Sequence, residues 1–167
     1  MLVLTRFVES AERIDDTLLL TFELRQKSRL RTRAVSGEEV GLFLERGQPL
    51  RDGTLLAAED GRVVVVRAAA ETLSHVVAAS PTELARAAYH LGNRHVPVEV
   101  GDGWLRLACD HVLIDMLARH FDVTLSTVEA PFNPESGAYG GGHHHSHGQE
   151  AEFHYAPKLH QFAKAHP

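Results

Sequence analysis

Twelve histidines and a single cysteine, Cys109, stand in this chain of 167 residues, so its most distinctive chemistry is that of imidazole. Four of the histidines crowd into His143-His144-His145-Ser146-His147, with Gly140-Gly141-Gly142 before them and Gly148 after. Neutral imidazole suits nickel, zinc and copper, whereas a thiolate-poor chain argues against iron–sulfur clusters and four-cysteine zinc sites. An expression tag would normally be terminal and uninterrupted. Here a serine breaks the run and 20 residues follow it, so metal association is the better reading. Affinity per ligand should be modest, because ordering a glycine-rich segment costs entropy. Cys109-Asp110-His111 is a second candidate: a Cys-x-His pair at a helix start suits a soft or borderline metal, although a packed thiol beside a capping turn explains it more simply. His75, His90 and His120 read as structural or solvated residues of regular elements.

His95 is the histidine that the surrounding sequence positions most firmly. Ser80-Pro81-Thr82-Glu83 is a capping box with proline at the first helical position, and Leu84, Ala87, Ala88 and Leu91 make one apolar stripe along the helix that follows. Gly92 sits where a left-handed C-cap is wanted, and Pro97 blocks a return to helix. A strand over Val96–Val100 would then open at His95. Alternation puts Val96, Val98 and Val100 on one face and His95, Pro97 and Glu99 on the other. With the valines inward, the imidazole is presented outward, where a site shared between molecules would need it. One imidazole makes no metal site alone.

The elements upstream predict an all-β region over residues 1–70. Strand candidates are Leu2–Val8, Thr17–Leu24, Arg29–Val35, Glu39–Leu44, Thr54–Ala57 and Arg62–Ala68, separated by turn residues such as Ser36-Gly37, Asp52-Gly53 and Asp60-Gly61. Six short strands at this spacing suggest a sandwich of two packed sheets. Its small core would lean on a neighbour. The charged residues of Arg25 to Arg33 read as solvated strand edges. From about residue 71 the order becomes β-α-β-β-α-β: Thr72–Ala78, the capped helix, Val96–Val100, the Gly101-Asp102-Gly103 hairpin, Trp104–Leu107, a helix capped by Asp110, and Asp122–Val128. That is the ferredoxin-like arrangement, so the fold class expected is α+β. From Ala130 onward Pro131, Pro134 and the glycines leave little to bury, and 137–167 reads as a flexible histidine-rich tail.

Composition narrows the function classes. Seventeen basic residues against 22 acidic ones give a net charge of −5, which suggests no nucleic-acid footprint. No apolar run approaches the roughly 20 residues of a membrane span, and Arg6, Glu9, Glu12 and Arg13 interrupt any signal-peptide pattern. The expected compartment is the cytoplasm. There is no His-Glu-x-x-His, no Gly-x-Ser-x-Gly, no P-loop and no dinucleotide-binding glycine signature, so an enzyme is not expected.

Ala87-Ala88-Tyr89-His90-Leu91-Gly92-Asn93-Arg94-His95-Val96-Pro97 resembles the signature of the UreE family, the nickel metallochaperones among urease accessory proteins. Gly41-Leu42-Phe43-Leu44-Glu45-Arg46-Gly47-Gln48-Pro49-Leu50-Arg51-Asp52-Gly53 is similar to the family's N-terminal region. Asp110-His111-Val112-Leu113 with Glu129-Ala130-Pro131-Phe132 and Pro134-Glu135 is similar to the end of its metal-binding domain. The resemblance covers roughly residues 1–136. It implies a peptide-binding-type β domain (1–70), a ferredoxin-like metal-binding and dimerisation domain (71–136) and a histidine-rich tail (137–167). It further implies a homodimer in which two copies of His95 share one Ni²⁺, with further ligands from His143, His144, His145 and His147, or from His154 or His160. Zinc or copper are alternative occupants of this site or of an auxiliary one at Cys109 and His111. Some relatives carry His-x-His where this chain has Cys109-x-His111, a departure that shifts any auxiliary site toward a softer metal. The implied partners are the urease accessory GTPase UreG and the apo-urease accessory complex. Competing readings are a nickel or zinc store built on the tail and a metal-independent interaction module built on the β domain.

Overall fold

A computed structural model describes residues 1–135 apart from Arg46 and Gln48. The expected tail, with His143, His144, His145, His147, His154 and His160, lies outside the described residues. The first half comprises β1 (Leu2–Val8), β2 (Asp16–Leu20), α1 (Phe22–Arg25), β3 (Arg29–Arg33), β4 (Glu39–Phe43), β5 (Leu55–Ala58) and β6 (Val63–Ala68). These six strands are hydrogen-bonded in one sheet, in the order β2-β6-β5-β1-β4-β3. The expectation of two packed sheets is therefore corrected. Two of the pairings, β1 with β4 and β2 with β6, are parallel, which a meander of hairpins does not produce. The sheet curls until its ends meet: Val35 N–H donates to Thr17 O at 2.9 Å, and Ser36 N–H donates to Asp16 Oδ1 at 3.3 Å. Leu2, Leu4, Leu18, Leu20, Val40, Leu42, Leu56, Val64 and Val66 fill the barrel-like interior. A sandwich and a curled sheet both bury alternate residues, so alternation does not separate them.

The second half comprises β7 (Ala70–Ala78), α2 (Pro81–Gly92), β8 (Glu99–Gly101), β9 (Trp104–Ala108), α3 (His111–His120) and β10 (Val123–Pro131). Its four strands are ordered β10-β7-β9-β8, and every pairing is antiparallel. Both helices cover one face. Ala87 and Leu91 of α2 and Leu117 of α3 pack with Val76, Leu105 and Leu107 of the sheet. Ser80 Oγ accepts from Glu83 N–H at 3.2 Å to cap α2, and Asp110 Oδ1 accepts from Val112 and Leu113 N–H to cap α3.

Three local expectations change at the seam between the halves. The strand expected over Thr17–Leu24 stops at Leu20, and Thr21 caps the short helix α1 instead. Arg25, expected among solvated edges, is buried at 3% exposure. Its Nη1 donates to Leu50 O at 3.2 Å and Asn133 Oδ1 at 3.3 Å, and its Nη2 donates to Phe132 O. Phe132 lies in the stretch expected to bury little, yet it is 2% exposed and meets the Phe22 ring edge-on at 5.3 Å. Burying an aromatic side chain of this size is worth roughly 2–3 kcal/mol, which offsets the two prolines around it. Burial pulls the Arg25 guanidinium below its ordinary value, opposed by Glu71, Asp52 and Glu99. Phe22 N–H donates to Glu71 Oε1 at 2.6 Å, and Ala69 N–H to Leu20 O at 2.9 Å, which complete the seam.

On the face of the second sheet away from the helices, Gly101 lies under the Trp104 indole. A Cβ at residue 101 would stand 2.0 Å from Trp104 Cε2, and the Arg106 guanidinium lies 4.1 Å from the indole centroid. Gly101→Ala should accordingly lower stability by about 1–3 kcal/mol through overpacking, read as a lower urea midpoint with an unchanged m-value. A midpoint equal to wild type would show that the indole moves aside freely.

Candidate functional site

His95 sits at a corner that the backbone defines more tightly than the sequence suggested. Beyond the last helical residue, Gly92, the chain winds on for part of a turn and closes with two bonds. Val96 N–H donates to Leu91 O at 3.2 Å, and His95 N–H donates to Gly92 O at 2.9 Å. This is the 6→1 and 5→2 pattern of a Schellman motif, and it puts His95 at the position that takes left-handed backbone. Its φ is +56°, the only positive φ at a non-glycine position among the described residues. Gly92, expected to take that role, is helical. Leu91 and Val96, the apolar pair that accompanies the motif, both belong to the second core.

The imidazole itself is exposed, so a fixed backbone carries a side chain in water. The strand expected over Val96–Val100 begins only at Glu99, because the corner uses Asn93 to Val96. Val96 and Val98 do pack inward, but Val100 is 51% exposed. Glu135 N–H donates to Val98 O at 2.8 Å, so the last described residue of the chain lies three residues from His95.

The other candidates are spread out. Cys109 is exposed; Ser74 Oγ donates to its Sγ at 3.4 Å, and its thiol lies 3.6 Å from Thr72 O. His111 opens α3 and is exposed. Among the described residues no three His, Cys, Asp or Glu side chains gather into a group that would hold a metal ion. His90 is half-buried, its ring 5.3 Å from Phe121, and His120 is exposed at the end of α3. His75 faces the Trp104 ring at 5.4 Å and its Nδ1 accepts from Arg106 Nε at 3.3 Å, so the proton of the neutral ring sits on Nε2. Burial, and then the Arg106 charge, lower its pKa. The residues that sequence reasoning missed are Arg25, Asn133 and Glu135. The apolar Phe132 between two prolines was the available sign that this stretch is packed.

The corner thus holds the His95 backbone while leaving its ring in solvent. Comparison with known proteins gives the chain a family. Residues 5–69 match the profile of the UreE urease accessory protein N-terminal domain, and residues 71–164 match that of its C-terminal domain. The urease accessory protein UreE of Azotobacter vinelandii is 61% identical over 163 residues, covering 97% of this chain and 98% of the relative. That of Ectopseudomonas mendocina is 60% identical, and that of Pseudomonas savastanoi pv. phaseolicola 58% identical, each with the same coverage. The chain belongs to the UreE urease accessory protein family, whose members are by name accessory proteins and not enzymes. No helix among the described residues is long and apolar enough to cross a membrane.

Two outcomes follow from this geometry. Because Gly92 is helical and a Cβ there meets nothing within 4 Å, Gly92→Ala should stabilise the fold by about 0.5–1 kcal/mol, whereas a left-handed Gly92 would give the opposite sign. At residue 95 the left-handed backbone should make His95→Ala less stable than His95→Gly by about 1 kcal/mol. Chemical denaturation of the three variants reads both. The depressed His75 pKa has its own signature. The unfolded ring binds a proton below about pH 6.5 while the folded ring resists it, so the His75 contribution is whole above that pH and is lost as pH falls toward the folded value. His75→Gln should therefore lose less stability than wild type between about pH 7.5 and pH 5.5.

Proposed function

We propose that this chain is a nickel-binding metallochaperone that donates Ni²⁺ for assembly of the urease active site. The observation that carries the reading is His95: an exposed imidazole on a left-handed corner that two backbone hydrogen bonds hold in place. Non-glycine residues in such backbone cluster at functional positions, where the local cost persists because the surroundings impose it. The family and its relatives' names supply the urease context.

In this reading residues 71–136 form a ferredoxin-like metal-binding and dimerisation domain, residues 1–70 a peptide-binding-type domain, and the protein is a cytoplasmic homodimer. His95 from each protomer meets on the two-fold axis and the pair shares one ion, since symmetry supplies the second imidazole that one chain lacks. His143, His144, His145 and His147 complete the coordination. Cys109 and His111 form an auxiliary position for a softer ion. The cargo passes to UreG and the apo-urease accessory complex by ligand exchange, with no bond made or broken in an organic substrate. A site assembled from separate imidazoles releases its ion one ligand at a time, which suits delivery.

Nickel titration of the full chain, with subunit mass measured in the same solution, tests the proposal. Wild type should bind one tight Ni²⁺ per dimer, and His95→Ala should lose that tight ion. Because the ligating imidazoles must be neutral, affinity should fall on acidification from about pH 8 to about pH 5.5. Replacing His143, His144, His145 and His147 by alanine separates a donor from a store: a donor keeps one weakened ion at His95, a store loses nearly all its nickel. A nickel-loaded monomer, or tight binding indifferent to His95, would overturn the proposal.

A further inference from the structure

We propose that the open face of the second sheet, around Arg106, is a docking surface for an extended acidic segment of a partner protein. It uses none of the residues given a metal role above, so it stands whether or not the chain carries nickel. The register of β7 with β9 and β10 puts His75, Val77, Trp104, Arg106, Thr124 and Ser126 on the side of the sheet away from α2 and α3. At one end that side is closed: Leu73 is 1% exposed, and Glu71 accepts from Phe22 N–H at the seam. Beyond His75 it is open. Val77 is 42% exposed, and Thr124 and Ser126 are exposed.

The open part presents an arginine already set in place. The Arg106 guanidinium stacks 4.1 Å from the indole centroid of Trp104, and the indole lies over Gly101, where any side chain would collide with it. Arg106 Nε donates to His75 Nδ1 at 3.3 Å. Its Nη atoms make no hydrogen bond, and the group has no ion pair, among the described residues. The carboxylate placed to neutralise it is Glu99, which stands opposite Arg106 in the β8–β9 pair. Glu99 instead lends its charge to Arg25 in the seam, and its Oε2 is buried. Arg106 is left as a planar fork with two Nη donors to spare, the pair that takes a carboxylate. The stack already fixes the side chain, so binding forfeits little of its rotamer freedom.

The rest of the face decides what carries that carboxylate. Val77 and the indole are apolar, while Thr124 and Ser126 are neutral hydroxyls that donate or accept. An isolated carboxylate would leave them unused. An extended peptide whose acidic and apolar side chains alternate meets both. A single-stranded nucleic acid on an open sheet needs a free aromatic ring to stack on, and this indole is already stacked by Arg106 and packed on Gly101. The face also lacks a second free cation: His75 accepts from Arg106, so its ring is neutral. The chain as a whole carries a charge of −5, and its overall field does not draw an acidic segment in. The attraction is local to Arg106.

An NMR titration of the isotope-labelled full chain, without metal, against a capped peptide of alternating glutamate and valine tests this. Amide signals of His75, Val77, Trp104, Arg106 and Ser126 should shift and saturate, together with the indole N–H of Trp104, the chain's one tryptophan. Glutamine in place of every glutamate of the peptide should weaken binding at least about fivefold. Arg106→Lys keeps the charge but loses the planar fork and its stack, and should weaken binding about threefold to fivefold. A charge removed elsewhere, by Arg119→Gln on α3, should leave binding unchanged. The proposal is overturned if the acidic peptide shifts nothing on this face, if Arg106→Lys binds it like wild type, or if the glutamine peptide binds equally. It is also overturned if an oligothymidylate shifts the same signals at lower concentration than the peptide, or if they move with protein concentration alone. Those results would give the face to a nucleic acid or to a second copy of the chain.

Discussion

The closing turn of α2 is the constraint on which the rest of the second half depends. An α-helix that ends against a sheet must satisfy its last carbonyls, and here Leu91 O and Gly92 O are satisfied by Val96 and His95 N–H. That solution requires one residue in left-handed backbone, and glycine usually supplies it. This chain places histidine there, a residue that tolerates left-handed backbone better than most but still at a cost. The same turn buries Val96 against Leu91 and so sets the direction in which the chain leaves toward β8. A side chain in that place has its Cα fixed by the core beneath it and its ring left to solvent. Under the proposed function its backbone is fixed before the ion arrives, so binding forfeits little backbone entropy.

The seam between the halves follows a different logic. The two cores are separate clusters, and what joins them is a mixture of one aromatic pair, backbone hydrogen bonds and a buried guanidinium. Arginine suits this place because its planar fork serves several acceptors at once and keeps its charge when buried. Desolvation disfavours that charge, and the surrounding carboxylates of Glu71, Asp52 and Glu99 offset it. A hydrophobic seam would hold the halves more cheaply. The polar one fixes a register, because Phe132 O and Asn133 Oδ1 are matched to particular guanidinium nitrogens.

Much of this was legible from local chemistry, and the failures share a cause. The Ser80 cap, the apolar stripe of α2, the Asp110 cap and the Gly101-Asp102-Gly103 hairpin are each decided within a few residues, and each is present; the Glu83 half of the expected capping box is not, its carboxylate accepting from Asp122 N–H and Arg86 instead. The parallel pairing of β1 with β4 and of β2 with β6 depends on which strands meet after the sheet curls, and side-chain alternation is blind to it. Gly92 looked like a left-handed cap because glycine often is one. The left-handed position falls instead at His95, three residues on, where His95 and Val96 N–H make the closing bonds. Arg25 and Phe132 were misread for the same reason: a charged residue near other charges and an aromatic residue between prolines find their partners about a hundred positions away. His95 was singled out correctly as a firmly held histidine, but for a strand edge that turned out to be a helix corner.

A transport protein for a transition metal faces opposed demands, since a preorganised cage holds its ion too well to pass it on. The described residues contain no such cage. They contain instead His95, an exposed imidazole on a backbone held by two hydrogen bonds. Under the proposed function the remaining ligands come from symmetry and from the histidines of residues 143–147. Affinity then becomes a product of terms, each of which is removable separately. Loss of one of these imidazoles lowers the affinity by a factor and leaves the rest of the coordination in place, so a partner offering its own ligands replaces them stepwise. Under the proposed function the corner at His95 sets where the ion waits.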